Sequence, residues 1–245
     1  MITLTFVYWI AGFAFVAFSI LSAHDTTNPR RFINAAFWAL IALSMFAGDY
    51  LGDLGNGVWV LVLVAMAGIG KGLGRGAGES DLAFRKAEGA LHGNKLFMLA
   101  LVIPATALIG TVAVKYGVAV VPSIPDYIDS KQVTLISLAL GVLIALVIAM
   151  AWLKPKPVTP FNEGRRLMDS VGWASVLPQM LASLGAVFAL AGVGEVVGGL
   201  MTQVIPDGSL FGAVLAFGLG MALFTMVMGN AFAAFPVMAT AIALT

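Results

Sequence analysis

The residues that could do chemistry in this apolar sequence lie in two glycine-containing segments near the C-terminus. The segment Gly192–Glu195 places a carboxylate directly after Gly-Val-Gly, inside an apolar stretch. The segment Met228–Phe232 contains Asn230, in a run from 209 to 245 that lacks Lys, Arg, Asp and Glu. A carboxylate in an apolar run is costly and is by default a functional candidate. An amide both donates and accepts hydrogen bonds, so these groups suit the binding of a small anion or a coupling ion.

Enzyme chemistry has little support in the sequence. The histidines, His24 and His92, lie far apart and have no carboxylate constellation around them. The chain has no cysteine, which excludes thiolate nucleophiles, disulfides and Cys-based metal sites. The G-x-S-x-G motif of a serine nucleophile is also missing. We therefore predict that the protein is not an enzyme and has no catalytic residue, no cofactor and no metal site.

Composition indicates an all-α, polytopic membrane protein. Hydrophobic residues make up 60% and charged residues 10% of the chain, whereas soluble domains carry about 25% charged residues. The net charge of +1 and the lack of a basic-aromatic patch predict no nucleic-acid partner. The first apolar segment lacks a basic leader and a small-residue cleavage site, so we expect it to be retained as a membrane span.

Five apolar segments in residues 1–153 predict an N-terminal bundle of membrane-spanning helices with the lipid bilayer as solvent. They are Ile2–Ser22, Phe32–Gly48, Asn56–Gly70, Leu96–Val114 and Val133–Leu153. Basic residues concentrate in alternate loops: the first loop carries Arg30 and Arg31, but the second carries only Asp49 and Asp53. The positive-inside rule then places the N-terminus outside and loops one, three and five in the cytoplasm of a bacterial plasma or inner membrane.

The third loop, Gly70–Gly78, is rich in glycine and base. It is not a phosphate-binding loop, because Gly72 rather than Ser or Thr follows Lys71 and no strand precedes it. We expect a flexible basic cytoplasmic loop.

Residues 154–175 predict a cytoplasmic linker. It begins with the proline-rich, stiff stretch 154–160. The amphipathic pattern of 162–173 favours a helix on the membrane interface with Trp173 at headgroup level. A solvated linker helix remains the alternative.

Residues 176–245 predict a glycine-broken helix followed by a re-entrant, hairpin-like segment, an arrangement typical of transport domains. The run 174–204 is too long for one crossing and should break at Gly192–Gly194, which puts Glu195 in the first turn of the second half. Alternatively, Glu195 lies at the interface or caps its helix and meets no substrate. The closing run should break at Gly229 and Asn230, either in a buried binding loop or in a surface turn.

The segment Phe224–Met238 resembles the re-entrant hairpin of the ion transporter superfamily, which includes the dicarboxylate–sodium symporters and gluconate permeases. Asn230 matches the tip asparagine of those carriers and Pro236 their later proline. Leu190–Glu195 resembles the glycine-broken helix that precedes the hairpin. By segment order, the chain more closely resembles one subunit of a two-component permease family associated with 5-oxoproline (pyroglutamate) uptake.

The resemblance implies a membrane subunit of a secondary transporter for a small organic anion, with 5-oxoproline as the candidate substrate. A second membrane subunit would supply the opposing repeat in a hetero-oligomer. Gly229 and Ala231 replace the hydroxyl residues of the tip, so coupling by H⁺, coupling by Na⁺ and uncoupled movement all stay open. The alternative is a structural or assembly subunit with no substrate site. The implied substrate-binding residues are Thr225, Gly229, Asn230, Ala231 and Phe232, and the coupling-ion candidates are Glu195 and Asn230. The end at Ala241–Thr245 is too short for another crossing, and we expect the chain to be truncated there.

Overall fold

The computed structural model describes residues 3–69, 73–76, 82–117, 128–129, 131–203 and 209–243, and these form helices with no β-strand among them. The predicted all-α class is confirmed. The helices are α1 (Leu4–His24), α2 (Arg31–Ile69), α3 (Leu82–His92), α4 (Lys95–Gly117), α5 (Val133–Leu153), α6 (Thr159–Val171), α7 (Leu177–Leu190), α8 (Val193–Met201), α9 (Leu210–Met228) and α10 (Ala231–Ala243), with a 3-10 turn at Gly172–Val176.

Five of the described helices, α1, α2, α4, α5 and α9, are long and apolar enough to cross a membrane. A crossing needs about 20 apolar residues. Large apolar side chains such as Leu108, Val147 and Leu219 point outwards and are exposed. So much outward apolar surface would be unfavourable in water, but it suits a helix that faces lipid. The helices therefore belong to a polytopic membrane protein.

Helix α2 reverses direction at Gly52. This glycine has φ 62° and ψ −178°, which is not helical. Trp59 Nε1 donates to the Leu40 carbonyl at 3.1 Å across 19 residues, a stretch that a straight helix would extend over about 28 Å. Asn56 Nδ2 likewise donates to the Gly48 carbonyl at 2.9 Å. The two arms of α2 therefore lie antiparallel, as the second and third apolar segments of the sequence predict.

The membrane-spanning candidates include every predicted span and one more. The two predicted segments on either side of Gly52 are the antiparallel arms of α2, and α9 is an additional candidate. Helix α9 has 19 residues, about 28 Å of helix, which is enough to cross a bilayer. The re-entrant course predicted for this arm stays a prediction.

Glycines set the helix separation within the first part of the chain. A Cβ on Gly12 of α1 would lie 2.6 Å from the Phe46 ring of α2. A Cβ on Gly141 of α5 would lie 2.9 Å from the Ile103 carbonyl oxygen of α4. Neither position has room for a larger residue, so α1 packs closely on α2 and α4 on α5.

The chain divides into two compact units, Met1–Gly172 and Trp173–Thr245. The division falls within the predicted linker 154–175, so α6 belongs to the first unit. In the second unit, α10 is central: Ala233, Val237 and Met238 are fully buried. Helices α7, α8 and α9 pack around α10, so an apolar helix without a single charge forms the core of this unit.

Candidate functional site

Helices α7 and α8 meet at a sharp bend in the second unit. Their axes differ by 67° across a short break, and Gly192 there has a left-handed φ of 72°. Glu195 lies in the first turn of α8, as expected, and is exposed. The bend lies at the glycine where a broken helix was expected. That this pair forms a broken membrane span stays a prediction.

The second chemistry-bearing segment forms the turn between α9 and α10. Gly229 ends α9 with φ 71° and ψ 3°, a conformation that favours glycine. Asn230 follows and is half-buried, as is Thr225 in the last turn of α9, whereas Gly229 and Ala231 are exposed. The Phe232 side chain lies outside the described part of the structure. The turn therefore places the side-chain amide of Asn230 directly before α10, the central helix of the second unit.

The structure separates Glu195 from Asn230 along α10. A Cβ on the neighbouring Gly194 would lie 2.7 Å from Thr240 Cβ and 3.1 Å from the Val237 carbonyl oxygen. Those two residues stand about 10 to 15 Å further along α10 than Asn230, at 1.5 Å per residue. The two coupling-ion candidates therefore occupy different levels of the unit, and Asn230 groups with Thr225, Gly229 and the backbone of Ala231.

The first unit contains a buried polar cluster that the sequence did not reveal. Arg165 Nη1 of α6 lies 2.7 Å from Asp25 Oδ2, just after α1, and 3.7 Å from Asp169 Oδ2. The side chains of Arg165, Asp25 and Asp169 are 10%, 9% and 4% exposed. We call these residues, with Asn34 and Trp38 of α2, the α6 cluster. It fixes α6 to the ends of α1 and α2.

The two carboxylates of the α6 cluster have unlike surroundings. Asp169 Oδ1 accepts hydrogen bonds from Asn34 Nδ2 at 2.9 Å and Trp38 Nε1 at 2.7 Å. Burial nevertheless raises the pKa of Asp169 above its ordinary value, because these bonds and the charge of Arg165 offset only part of the desolvation. Burial also acts to raise the pKa of Asp25, but hydrogen bonds from Thr27 and Arg165 outweigh it and hold that pKa below its ordinary value.

The described part of the glycine-rich third loop, 73–76, is docked on this cluster. Asn34 Nδ2 donates to the Gly74 carbonyl at 2.8 Å, and the Gly74 N–H donates to Asn34 Oδ1 at 2.9 Å. Arg75 Nη2 donates to the Ser170 carbonyl at 3.2 Å. A Cβ on Gly76 would collide with Asp25. The expectation of a flexible loop is therefore wrong for 73–76, where paired hydrogen bonds and close glycine contacts hold the backbone in place.

Loops one, three and five of the predicted topology meet in the α6 cluster. Asp25 represents the first loop, 73–76 the third and 159–171 the fifth, and Asn34 near the start of α2 bonds to the latter two. Odd-numbered loops meet at one end of a bundle only if the chain has returned to the same side each time, and the reversal of α2 at Gly52 makes this possible. The cytoplasmic side assigned to them stays a prediction.

Helix α6 lies in the predicted linker and adds one detail to it. Arg165 and Asp169 are buried, with partners at the ends of α1 and α2, a contact that the amphipathic pattern of 162–173 does not indicate. Leu167 and Val171 are instead exposed, which is compatible with the interfacial position that stays predicted. The Trp173 side chain lies outside the described residues. The spacing of Arg165 and Asp169, one helical turn apart, was the only local signal of an ion pair.

No group of three or more His, Asp or Glu side chains within the described residues is arranged to hold a metal ion. Comparison with curated proteins finds no match, and comparison with solved structures finds none either. The sequence pattern of the DUF979 family, described as proteins of unknown function, matches residues 5–245. The chain therefore belongs to the DUF979 family.

Proposed function

We propose that this membrane protein is a subunit of a secondary transporter that takes up a small organic anion. The observation that carries the proposal is the turn between α9 and α10. A left-handed Gly229 and the amide of Asn230 stand at the start of α10, whose apolar face is the core of its unit. Free backbone N–H groups at a helix N-terminus attract anions, and transporters use such half-helix ends for substrate carboxylates.

The proposed substrate site comprises Thr225, Gly229, Asn230, Ala231 and Phe232. Gly229 and Ala231 are exposed in the second unit, so a ligand has access to the backbone on both sides of Asn230. The resemblance of this segment to the dicarboxylate–sodium symporter hairpin supports a carboxylate substrate, and the segment order supports 5-oxoproline. Coupling by H⁺ or Na⁺ at Glu195 or Asn230 forms part of the proposal.

The proposed partner is a second membrane subunit in a bacterial plasma or inner membrane. Transporters of this kind place their site between two repeats, and the described residues of the second unit contain one turn in which a left-handed glycine is followed by asparagine, Gly229 and Asn230. A partner that carries the opposing repeat would complete the site in a hetero-oligomer.

Uptake of radiolabelled 5-oxoproline by cells expressing both subunits tests the proposal. Asn230→Ala should lower uptake about tenfold or more, because a hydrogen bond to a charged group contributes about 1.5–3 kcal/mol. Asn230→Asp should lower it further, since a carboxylate repels an anion. Met226→Ala is the matched control, because Met226 lies one turn earlier with its side chain exposed. Unchanged uptake by Asn230→Ala at equal membrane abundance would refute the assigned site.

A structural or assembly subunit is the second candidate, and the exposure of Gly229 and Ala231 favours it. The chain has no native cysteine, so single cysteines at 231 and 226 can be labelled directly. A surface turn predicts fast labelling at 231 that substrate does not slow. A binding loop predicts labelling at 231 that 5-oxoproline slows, while labelling at 226 stays unaffected.

A further inference from the structure

The α6 cluster contains more buried negative charge than positive charge. Asp25 and Asp169 share the single guanidinium of Arg165, and that guanidinium is 1 Å closer to Asp25 (2.7 Å against 3.7 Å). The remaining side chains of the cluster, Asn34 and Trp38, are neutral. With both carboxylates ionised, the cluster therefore carries one uncompensated negative charge at buried positions, which is costly.

The excess charge can be located on one atom. Asp169 Oδ1 accepts the hydrogen bonds of Asn34 and Trp38, and the carbonyl oxygen of a protonated carboxyl group still accepts both, although more weakly than a carboxylate oxygen does. Among the described residues, Asp169 Oδ2 has one polar contact, with Arg165 Nη1 at 3.7 Å. A proton on Oδ2 would remove the excess charge and leave both hydrogen bonds on Oδ1 in place.

We propose that Asp169 Oδ2 is a proton-binding site and that its proton controls how Arg165 is shared between α1 and α6. With the proton bound, Arg165 pairs with Asp25 alone and ties α6 to the end of α1. When the proton leaves, two carboxylates compete for one guanidinium. Arg165 Nε has no hydrogen-bond partner among the described atoms, so the guanidinium has a spare donor for a second carboxylate.

The electrostatic surroundings of Asp169 agree with this assignment. Burial raises its pKa above the ordinary value, and the negative charge of Asp25 adds to that effect. Within the part of the chain that the structure describes, the charged groups on the elements around it are Arg165 on its own helix, Asp25 after α1, Arg30 before α2, whose side chain lies beside Gly74, and Arg75, which is bonded to the adjacent Ser170 carbonyl. Helix α2 contributes the neutral donors Asn34 and Trp38.

Infrared difference spectroscopy of the full chain in lipid, recorded against pH, tests the proposal. At pH values where exposed carboxyl groups are already ionised, the wild type should still show the carbonyl band of a protonated carboxylic acid, which disappears as pH rises further, and Asp169→Asn should lack that band. Glu163→Gln is the matched control, because Glu163 lies on the same helix and pairs with Arg166 at 2.7 Å; this variant should keep the band. A band that persists in Asp169→Asn would overturn the assignment.

Two further variants test the sharing of Arg165. In Asp25→Asn the guanidinium is free to pair with Asp169, so the band should disappear at lower pH than in the wild type. In Trp38→Phe one donor to Oδ1 is lost, so the band should persist to higher pH. A midpoint that stays unchanged in whichever of these variants keeps a wild-type circular dichroism spectrum would overturn the proposed sharing.

Discussion

The α6 cluster and the α9–α10 turn place their polar groups in opposite ways. In the cluster, side chains far apart in sequence meet within 4 Å: Trp38 bonds to Asp169 across 131 positions and Arg165 to Asp25 across 140. In the turn, Gly229 and Asn230 are sequence neighbours. Glu195 of α8 lies beside a different part of α10, away from the turn. A local motif therefore marks a turn reliably, whereas long-range contacts decide which charges act together.

The largest expected effect is the loss of Arg165, since this side chain compensates both buried carboxylates. Arg165→Ala should destabilise the protein by about 3–5 kcal/mol, the usual result of leaving buried charges unpaired. Arg166→Ala is the matched control: its ion pair with Glu163 is 2.7 Å long but 34% exposed, and such a pair contributes about 0–1 kcal/mol. Thermal unfolding in detergent measures both. Equal losses would show that the cluster does not fix α6 to the ends of α1 and α2.

Local sequence pattern predicts the helices and the turns of both regions. Apolar runs longer than a crossing indicated the helices, and glycines at 192 and 229 marked the α7–α8 bend and the α9–α10 turn. The α6 cluster could not be predicted, because Asp25, Arg165 and Asp169 look like ordinary loop charges until α2 reverses and brings the loops together. The reversal itself agrees with the predicted break between the second and third apolar segments, and the hydrogen bonds from Trp59 to Leu40 and from Asn56 to Gly48 show it.

The second test concerns the second unit, where α8 packs tightly on α10 at Gly194. Gly194→Val would press a branched side chain against Thr240 and the Val237 carbonyl. Even a Cβ alone would lie 2.7 Å from Thr240 Cβ and 3.1 Å from the Val237 carbonyl oxygen. We expect a loss of about 1–3 kcal/mol, as for other overpacked sites. Gly199→Val is the control, because a Cβ there has nothing within 4 Å. Guanidinium unfolding of both variants measures the difference. Equal stabilities would mean that α8 does not pack on α10 at this point.

A smaller effect is expected from the turn itself. Gly229→Ala introduces a Cβ at φ 71°, although nothing lies within 4 Å of it. The cost is therefore backbone strain alone, about 1–2 kcal/mol for a left-handed residue. Gly218→Ala within α9 also meets nothing within 4 Å and should be neutral or stabilising by up to about 1 kcal/mol. Thermal unfolding distinguishes the pair, and a Gly229→Ala variant as stable as Gly218→Ala would contradict a left-handed turn.

The pH dependence of stability should be the smallest effect, because the two carboxylates of the α6 cluster act in opposite directions. The pKa of Asp169 is raised in the folded protein, so its contribution is fully present below the unfolded value of about 3.9 and is lost as pH rises through the folded pKa. The pKa of Asp25 is lowered, so its contribution is present above that unfolded value and is lost as pH falls through the folded pKa.

Asp169→Asn removes only the first of these contributions and keeps an acceptor for Asn34 and Trp38. Its stability relative to the wild type should therefore increase as pH rises from below about 4 to neutral, since only the wild type then has to carry the unpaired charge. Asp53→Asn removes an exposed carboxylate at the α2 reversal and is the control for losing a carboxylate outside the α6 cluster. Melting temperatures of the three proteins across this range measure the trend. If Asp169→Asn instead lost stability with rising pH, the ionised Asp169 would be a stabilising partner of Arg165, and the buried cluster would be a structural ion pair without a proton site.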